Sequence, residues 1–341
     1  MRNTFFFAIF APKTKKTIII LFFLLAGLEI MSAKPLRIVS YNVENLFHPA
    51  HDSVYLPAEG RWMETDDLEW TPDGERRWTY SRYHQKVHNI AKVLTIIGQW
   101  DGVDMVGLCE VENAEVVRRL CHTMRYKAYD FVHYESPDRR GIDVALIYKT
   151  ERIDTLCTRA IPVNLGAQST RDILYVSALV DKSDTLHLLV CHLPSQRGGA
   201  AESEWKRRAA QEVLQHTIDS IYATAPNARI IVMGDMNGER LRITGDGLLG
   251  VSYREPEKGA QVRGTHKYQG MWSCLDQFYT SPALEAISHA RIYAGEIILE
   301  EDNKYMGFKP KRTYIGYRYQ NGYSDHLPVI LDIEQDRREG K

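Results

Sequence analysis

Short apolar runs rich in Val, Ile and Tyr recur along this chain, and several stop at a polar residue standing where the run meets a turn. Nine of them read as strands: Leu36 to Tyr41, Met105 to Cys109, Tyr129 to Tyr134, Asp143 to Tyr148, Leu174 to Val180, Leu186 to Cys191, Ile230 to Met233, Gln277 to Thr280 and Val329 to Ile333. Runs this short, bounded by turn signals, suit buried strands better than helices. Helical spacing shows at Val87, Ile90, Ala91, Leu94 and Ile97, and less strictly at Trp205, Ala209, Val213 and Ile218. Strands outnumber helices, and several neighbours are close enough for hairpins. The pattern predicts an α/β chain of mixed sheets with helices outside, not a doubly wound parallel sheet. No internal repeat, low-complexity tract or interdomain linker interrupts it.

With 341 residues and 44% hydrophobic content, the chain can bury one large core or two modest ones. Its start differs from the rest. Lys13, Lys15 and Lys16 precede the apolar run Ile18 to Leu28, and Ser32 and Ala33 follow. That run falls short of the roughly 20 residues a spanning helix needs, so it reads as a secretory signal cleaved near Ala33, with an uncleaved anchor as the alternative. Residues 1–33 are thus expected to be a signal peptide and 34–341 a single exported domain, periplasmic or secreted, monomeric and without a stable membrane anchor. Cleavage removes four basic residues and one acidic residue, taking the formal charge from −1 to −4. A mildly acidic chain has no global pull toward nucleic acid, so any polyanion must be recognised by local patches. The five cysteines show no spacing that suggests zinc.

The chemistry is carried by the polar residues at the run ends. They are Asn42 in SYNVENL, Glu110 in LCEV, His192 in VCHLP, Asp235 and Asn237 in GDMN, Asp276 in LDQ, and Asp325 and His326 in SDHLP. Together they amount to a carboxylate metal site with two imidazoles, the equipment for hydrolysing a phosphate ester. Magnesium prefers hard oxygen ligands and keeps several waters, so one or two carboxylates suffice. Asp235 and Asn237 stand two apart on an extended segment, project to one side, and can orient an attacking water. Glu112, just beyond Glu110, reads as a charge at a helix N-terminus.

In this order the segments SYNVENLF, LCEVEN, GIDVALIY, CHLP, GDMN, CLDQ and SDHLP resemble the endonuclease/exonuclease/phosphatase superfamily, the metal-dependent hydrolases that include deoxyribonuclease I. The resemblance runs from about Leu36 to Ile333. It implies a four-layer sandwich, two mixed β-sheets face to face with helices on both outer surfaces, and a site at one end. It implies that Asn42, Glu110 and Asp325 hold a metal, Mg2+ first with Mn2+ or Ca2+ possible. Asp235 and Asn237 then orient or activate the nucleophile, and Asn237 also contacts the phosphate. His326 is oriented by Asp276, and His192 by Asp143; Arg171 stands near a phosphate-contacting position.

Two loop-rich insertions flank these motifs. Pro49 to Arg82 carries Trp62, Trp70, Trp78, Arg76, Arg77 and Arg82; Glu300 to Tyr323 carries Lys309, Lys311, Arg312, Tyr314, Tyr317, Arg318 and Tyr319. Each could wall the site with cations and rings, or simply bury its aromatics to stay ordered. The expected activity is an exported, Mg-dependent phosphodiester hydrolase, an endonuclease on DNA or RNA. The alternatives are a hydrolase of lipid head groups or inositol phosphates, and a catalytically silent binding module.

Overall fold

The computed structural model describes residues 34–56, 60–124, 128–166, 168–196, 199–238, 241, 249–250 and 262–335. The expected leader, residues 1–33, lies outside them. Residues Leu36–Ile333 form one compact unit. Among the described residues no helix is long and apolar enough to cross a membrane.

Two sheets of six strands make the frame. The first uses β1 (Leu36–Leu46), β2 (Met105–Val111), β3 (Tyr129–His133) and β4 (Asp143–Lys149); the second uses β5 (Ile153–Ile161), β6 (Ile173–Val180), β7 (Asp184–His192), β8 (Arg229–Asp235), β9 (Leu249–Gly250) and β10 (Asp276–Thr280). The chain then returns to the first sheet as β11 (Ser288–Ile292) and β12 (Val329–Ile333). Strand orders are β11-β12-β1-β2-β4-β3 and β9-β10-β8-β7-β6-β5. Each sheet holds one parallel pair at its centre, β1 with β2 and β7 with β8, flanked by antiparallel neighbours.

That arrangement decides where function can sit. A parallel pair ends both strands at one edge, and an antiparallel neighbour starts there. The ends of β1, β2, β7 and β8 and the starts of β4, β10 and β12 therefore gather at one edge of their sheets. These are the positions that carry Asn42, Glu110, His192, Asp235, Asp143, Asp276 and, just before β12, Asp325 and His326.

Strand alternation sorts side chains into layers. Ile38, Met105, Leu146, Val176, Val190, Ile231 and Phe278 fill the space between the sheets. Their alternates Val39, Tyr41, Val106 and Leu108 pack outward on α1 (Tyr80–Gly98) and α2 (Ala114–Thr123). Leu189, Ile230 and Val232 pack on α3 (Ala200–Thr224), giving helix, sheet, sheet, helix. Gly107 lets the sheets interlock, because a Cβ there would come within 2.9 Å of the Met233 sulfur. Thr79 caps α1 by accepting from Arg82 N, and Asn113 caps α2 by accepting from Glu115 N and Val116 N.

Each of the nine expected strands is present. Three strands of the two sheets were not expected, each for a physical reason: β5 is an edge strand whose residues are mostly exposed, β9 has two residues, and β11 buries one residue of five, so none offers a buried run. Trp205, expected on the buried face of α3, is 43% exposed; Ile218 is buried as expected, Ala209 and Val213 are partly buried, and Ala210, Leu214 and Ile221 join Ile218 in the core.

Candidate active site

Local backbone devices aim the site residues. The β1–β2 pairing is irregular between Asn42 and Leu46, where Glu44 (φ 53°) and Asn45 (φ 56°) are left-handed. The β2–β4 pairing breaks between Cys109 and Val111, with Glu110 at φ 66°. Bulges of this kind re-aim a side chain at the rim of a sheet, and left-handed non-glycine residues persist only where their surroundings hold them. Gly234 serves the opposite strand end: at φ 134° a Cβ would lie 1.8 Å from the Cys191 carbonyl oxygen. Only glycine lets β8 lie this close to β7 there.

Asp235 is the centre. It is buried, and its Oδ2 accepts from Asn42 Nδ2 at 3.0 Å while Oδ1 accepts from Asn237 N at 2.9 Å. Asn42 Nδ2 also lies 3.3 Å from Glu110 Oε1, and Glu110 Oε2 accepts from Asn45 N at 2.9 Å. One amide thus ties the carboxylates of the two sheets together. His192 Nε2 stands 3.7 Å from Asp235 Oδ2 and 3.9 Å from Glu110 Oε1; His326 Nε2 stands 3.9 Å from Asp235 Oδ2. Burial pushes the Asp235 carboxyl up to about 6, with the His326 charge working against it. The Asn237 side chain donates to Leu193 O at 2.9 Å.

The two imidazoles differ. Burial acts to discharge both. At His326 the Asp276 carboxylate, 2.7 Å from Nδ1, together with Asp235 and Asp325, overcomes burial and holds the ring charged well above the usual histidine range. At His192 burial prevails, helped by the positive field of Arg171 and Arg140, and the ring is pushed well below that range. His192 Nδ1 is buried and has no hydrogen-bond partner among the described residues.

Loops complete the surroundings. Thr265 Oγ1 accepts from Leu275 N and Asp276 N, each at 3.1 Å, and Thr265 O accepts from Leu327 N at 2.7 Å, so one residue sets both members of the Asp276–His326 pair. Ser324 Oγ donates to Asn42 O at 2.7 Å and accepts from His326 N at 3.0 Å, which is what the serine of SDH does. Asp325 Oδ2 accepts from Arg312 Nη2 at 2.8 Å; against burial, His326 and Arg312 hold this carboxylate below its usual range. Arg312 also reaches Glu44 Oε1 at 3.4 Å, and Lys86, fully buried, stands 4.0 Å from Glu44 Oε2. The His266 ring lies 4.8 Å from that of His326.

Arg312 is one of the insertion cations expected to wall the site, whereas Glu44, Lys86 and His266 had no signal in the expectation. Of these, Glu44 alone could have been found, two residues beyond Asn42 within SYNVENL. Glu112 is a correction: it is buried, not a surface charge at α2, and burial raises its carboxyl to about 9. Two further expected residues stand elsewhere. Asp143 does not hold His192; its Oδ1 accepts from Ser136 N and Oγ, and Oδ2 faces His133 Nε2 at 3.3 Å. Arg171 is buried, and its guanidinium donates to the carbonyls of His192 (3.1 and 2.9 Å) and Leu193 (2.9 Å) and to Asp138 Oδ2 (2.7 Å). It holds the strand end in place.

The insertions mostly fold on one another. Trp70 stacks on Phe47 at 5.0 Å and meets Trp78 and Tyr314 edge-on at 5.6 Å, all four rings being buried. Arg76 lies over Trp70 at 4.3 Å, and Arg82 over Tyr319 at 4.6 Å. Trp62 (66% exposed) and Tyr317 (58%) remain at the surface.

Glu110 and Asp235 offer hard oxygens under one Asn amide, and ligand atoms of Asp235, Asp276 and His326 lie within 4.8 Å of one another, a donor set that fits a divalent cation. The fold and this cluster define a metal-dependent phosphoester hydrolase. The chain belongs to the Endonuclease/Exonuclease/phosphatase family, whose model matches residues 37–335. It is similar in structure to truncated Caenorhabditis elegans TDP2 (TM-score 0.53, 16% identity, covering 88% of this chain and 98% of that one). It is also similar to a Bacteroides thetaiotaomicron mannosyl-6-phosphatase (0.55, 14%, 87% and 98%). A third similar structure is the human Nocturnin catalytic domain (0.50, 16%, 89% and 95%). Sequence comparison with curated proteins finds no match.

Proposed function

We propose that this chain is an exported, magnesium-dependent phosphodiesterase that cuts nucleic-acid strands. The observation that carries the hydrolytic part is the meeting of Asn42, Glu110, His192 and His326 around one buried carboxylate, Asp235. Glu110 and Asp325 would hold the cation, with Asn42 fixing the geometry of Glu110. Bound there, a divalent ion supplies Lewis acidity toward the phosphoryl oxygens. Asp235, with its pKa raised to about 6, takes the proton of the attacking water. The charged His326 ring faces the charge that builds on the phosphoryl oxygens, and neutral His192 offers a hydrogen bond without adding charge. The rings and cations left at the insertion surface, Trp62, Tyr317 and Arg318, support strand binding.

A second reading, hydrolysis of a small sugar phosphate, gains from the burial of Trp70, Trp78 and Tyr314, which removes most of the expected aromatic wall. One assay separates them. Residues 34–341 are given supercoiled plasmid, mannose 6-phosphate and phospholipid vesicles, in magnesium and in chelator, beside Asp235→Asn. Metal-dependent nicking lost in the variant supports the nuclease. Phosphate release from the sugar with intact plasmid replaces it with the second reading, and head-group release alone moves the substrate to lipids.

A further inference from the structure

We propose that the β3–β4 hairpin carries a second metal site, built from His133, Glu135 and Asp143 and suited to Zn2+, separate from the catalytic cluster and structural in role. One donor atom from each residue lies within 4.8 Å of the other two. His133 ends β3, Asp143 begins β4, and Glu135 lies in the loop that joins them, so one hairpin delivers all three. His133 Nε2 stands 3.3 Å from Asp143 Oδ2, and Nδ1 stands 3.8 Å from Glu135 Oε1.

Hydrogen bonding points to a missing cation. The His133 side chain is 2% exposed, yet its Nε2, aimed at Asp143, has no hydrogen-bond partner among the described residues, while the Glu135 and Asp143 carboxyl groups share a hydrogen bond. Buried polar atoms are nearly always satisfied, so a buried imidazole nitrogen left unpaired beside two carboxyl groups calls for a ligand. Neither carboxylate pairs with a lysine or arginine among the described residues. Burial accordingly raises the Glu135 carboxyl to about 8 and that of Asp143 well above its usual range. Ser136 donates through N and Oγ to Asp143 Oδ1, which fixes that oxygen and turns Oδ2 to the cluster, as outer partners of metal ligands do.

One imidazole with two carboxylates favours a borderline ion over magnesium or calcium, and zinc binds such donors more tightly than manganese or iron. The site would also brace the catalytic end. The hairpin loop contains Asp138, which accepts from Arg171 at 2.7 Å, and Arg171 holds the His192 carbonyl. The inference does not depend on which ester the enzyme cleaves.

The test measures Zn2+ bound per chain, by dialysis and elemental analysis, for the whole chain and for Glu110→Gln, His133→Ala and Glu135→Gln. The site predicts that Glu110→Gln keeps one tightly held zinc, whereas His133→Ala and Glu135→Gln each weaken that zinc at least about 100-fold. Equal affinity and stoichiometry in all four chains would overturn it. Should the hairpin variants fail to fold, zinc X-ray absorption on the folded Glu110→Gln chain decides: a shell of oxygens with one imidazole upholds the site. No bound zinc, or a shell without imidazole, removes it.

Discussion

His192 and His326 stand at nearly equal distances from one carboxylate oxygen of Asp235, yet the fold treats them oppositely. His326 comes from the loop before β12 and is gripped by Asp276; His192 ends β7 with Nδ1 unpartnered among the described residues and Arg171 donating to its carbonyl. Burial alone discharges an imidazole, and only a carboxylate at hydrogen-bond range reverses that. Two residues of the same type at matching strand ends thus become one fixed cation and one neutral ring. The difference lies in what the neighbouring strand start supplies. β10 begins with Asp276 facing the site, whereas β4 begins with Asp143 turned to Ser136 and His133.

The sharpest way to break this comparison is to remove each ring. His326→Gln should lower kcat by about 1,000-fold, and His192→Gln by about 100-fold, both within the span expected for a group acting on a proton or a developing charge. Steady-state hydrolysis of the best substrate reads both. Equal losses, or a larger loss at His192, would show that the charge asymmetry does not reach the chemistry. Next in size is the support under His192. Arg171→Gln leaves buried carbonyls and Asp138 without their shared donor, and should cost about 3 kcal/mol in denaturant unfolding. A cost under about 1 kcal/mol would mean that the strand end holds itself.

Asp276→Asn tests the other side. It should lower kcat by about 100-fold and also move the pH profile. The folded state raises the His326 pKa, so its charge is present below that pKa and lost as pH rises through it. Without the Asp276 charge that pKa falls, and the alkaline decline of kcat must begin at lower pH. A profile that drops in height but does not move would separate Asp276 from the charge of His326.

What could be read from the sequence follows the same division. Asn42, Glu110, His192, Asp235, Asp276 and His326 stand at strand ends, and alternation with run length locates strand ends well; the structure brings these six together. The partners of the rings were harder. Pairing Asp143 with His192 followed motif order, but a strand-start residue is aimed by its own hairpin, and here that hairpin closes on His133. Lys86, Arg312 and His266 arrive from a helix and from loops whose paths no periodicity fixes. Nor could the sequence decide the insertions, since Trp70 and Trp62 look alike until Phe47 and Tyr314 are seen to bury the one and leave the other exposed.

The smallest predicted effect asks whether the rule that separates the two histidines holds for a carboxyl group. Glu112 lies two residues past Glu110, and its Oε2 accepts from His48 N at 2.6 Å and Asn113 Nδ2 at 3.2 Å. The effects on its carboxyl are led by burial, which raises it to about 9, and the acids Asp67, Asp52 and Glu135 add to the rise. A folded pKa above the unfolded one gives stability that is complete below about 4.5 and is lost as pH climbs through 9. Glu112→Gln keeps an acceptor for both donors and removes the titration. It should stabilise the protein by about 2 kcal/mol at neutral pH, and flatten the fall in Tm between acid and alkaline buffer. A variant no more stable than the parent at pH 8, but equal to it at pH 5, would show that a cation already neutralises this carboxylate. That result would place Glu112 with the Asp276–His326 side of the comparison, where a charge is kept because a partner meets it.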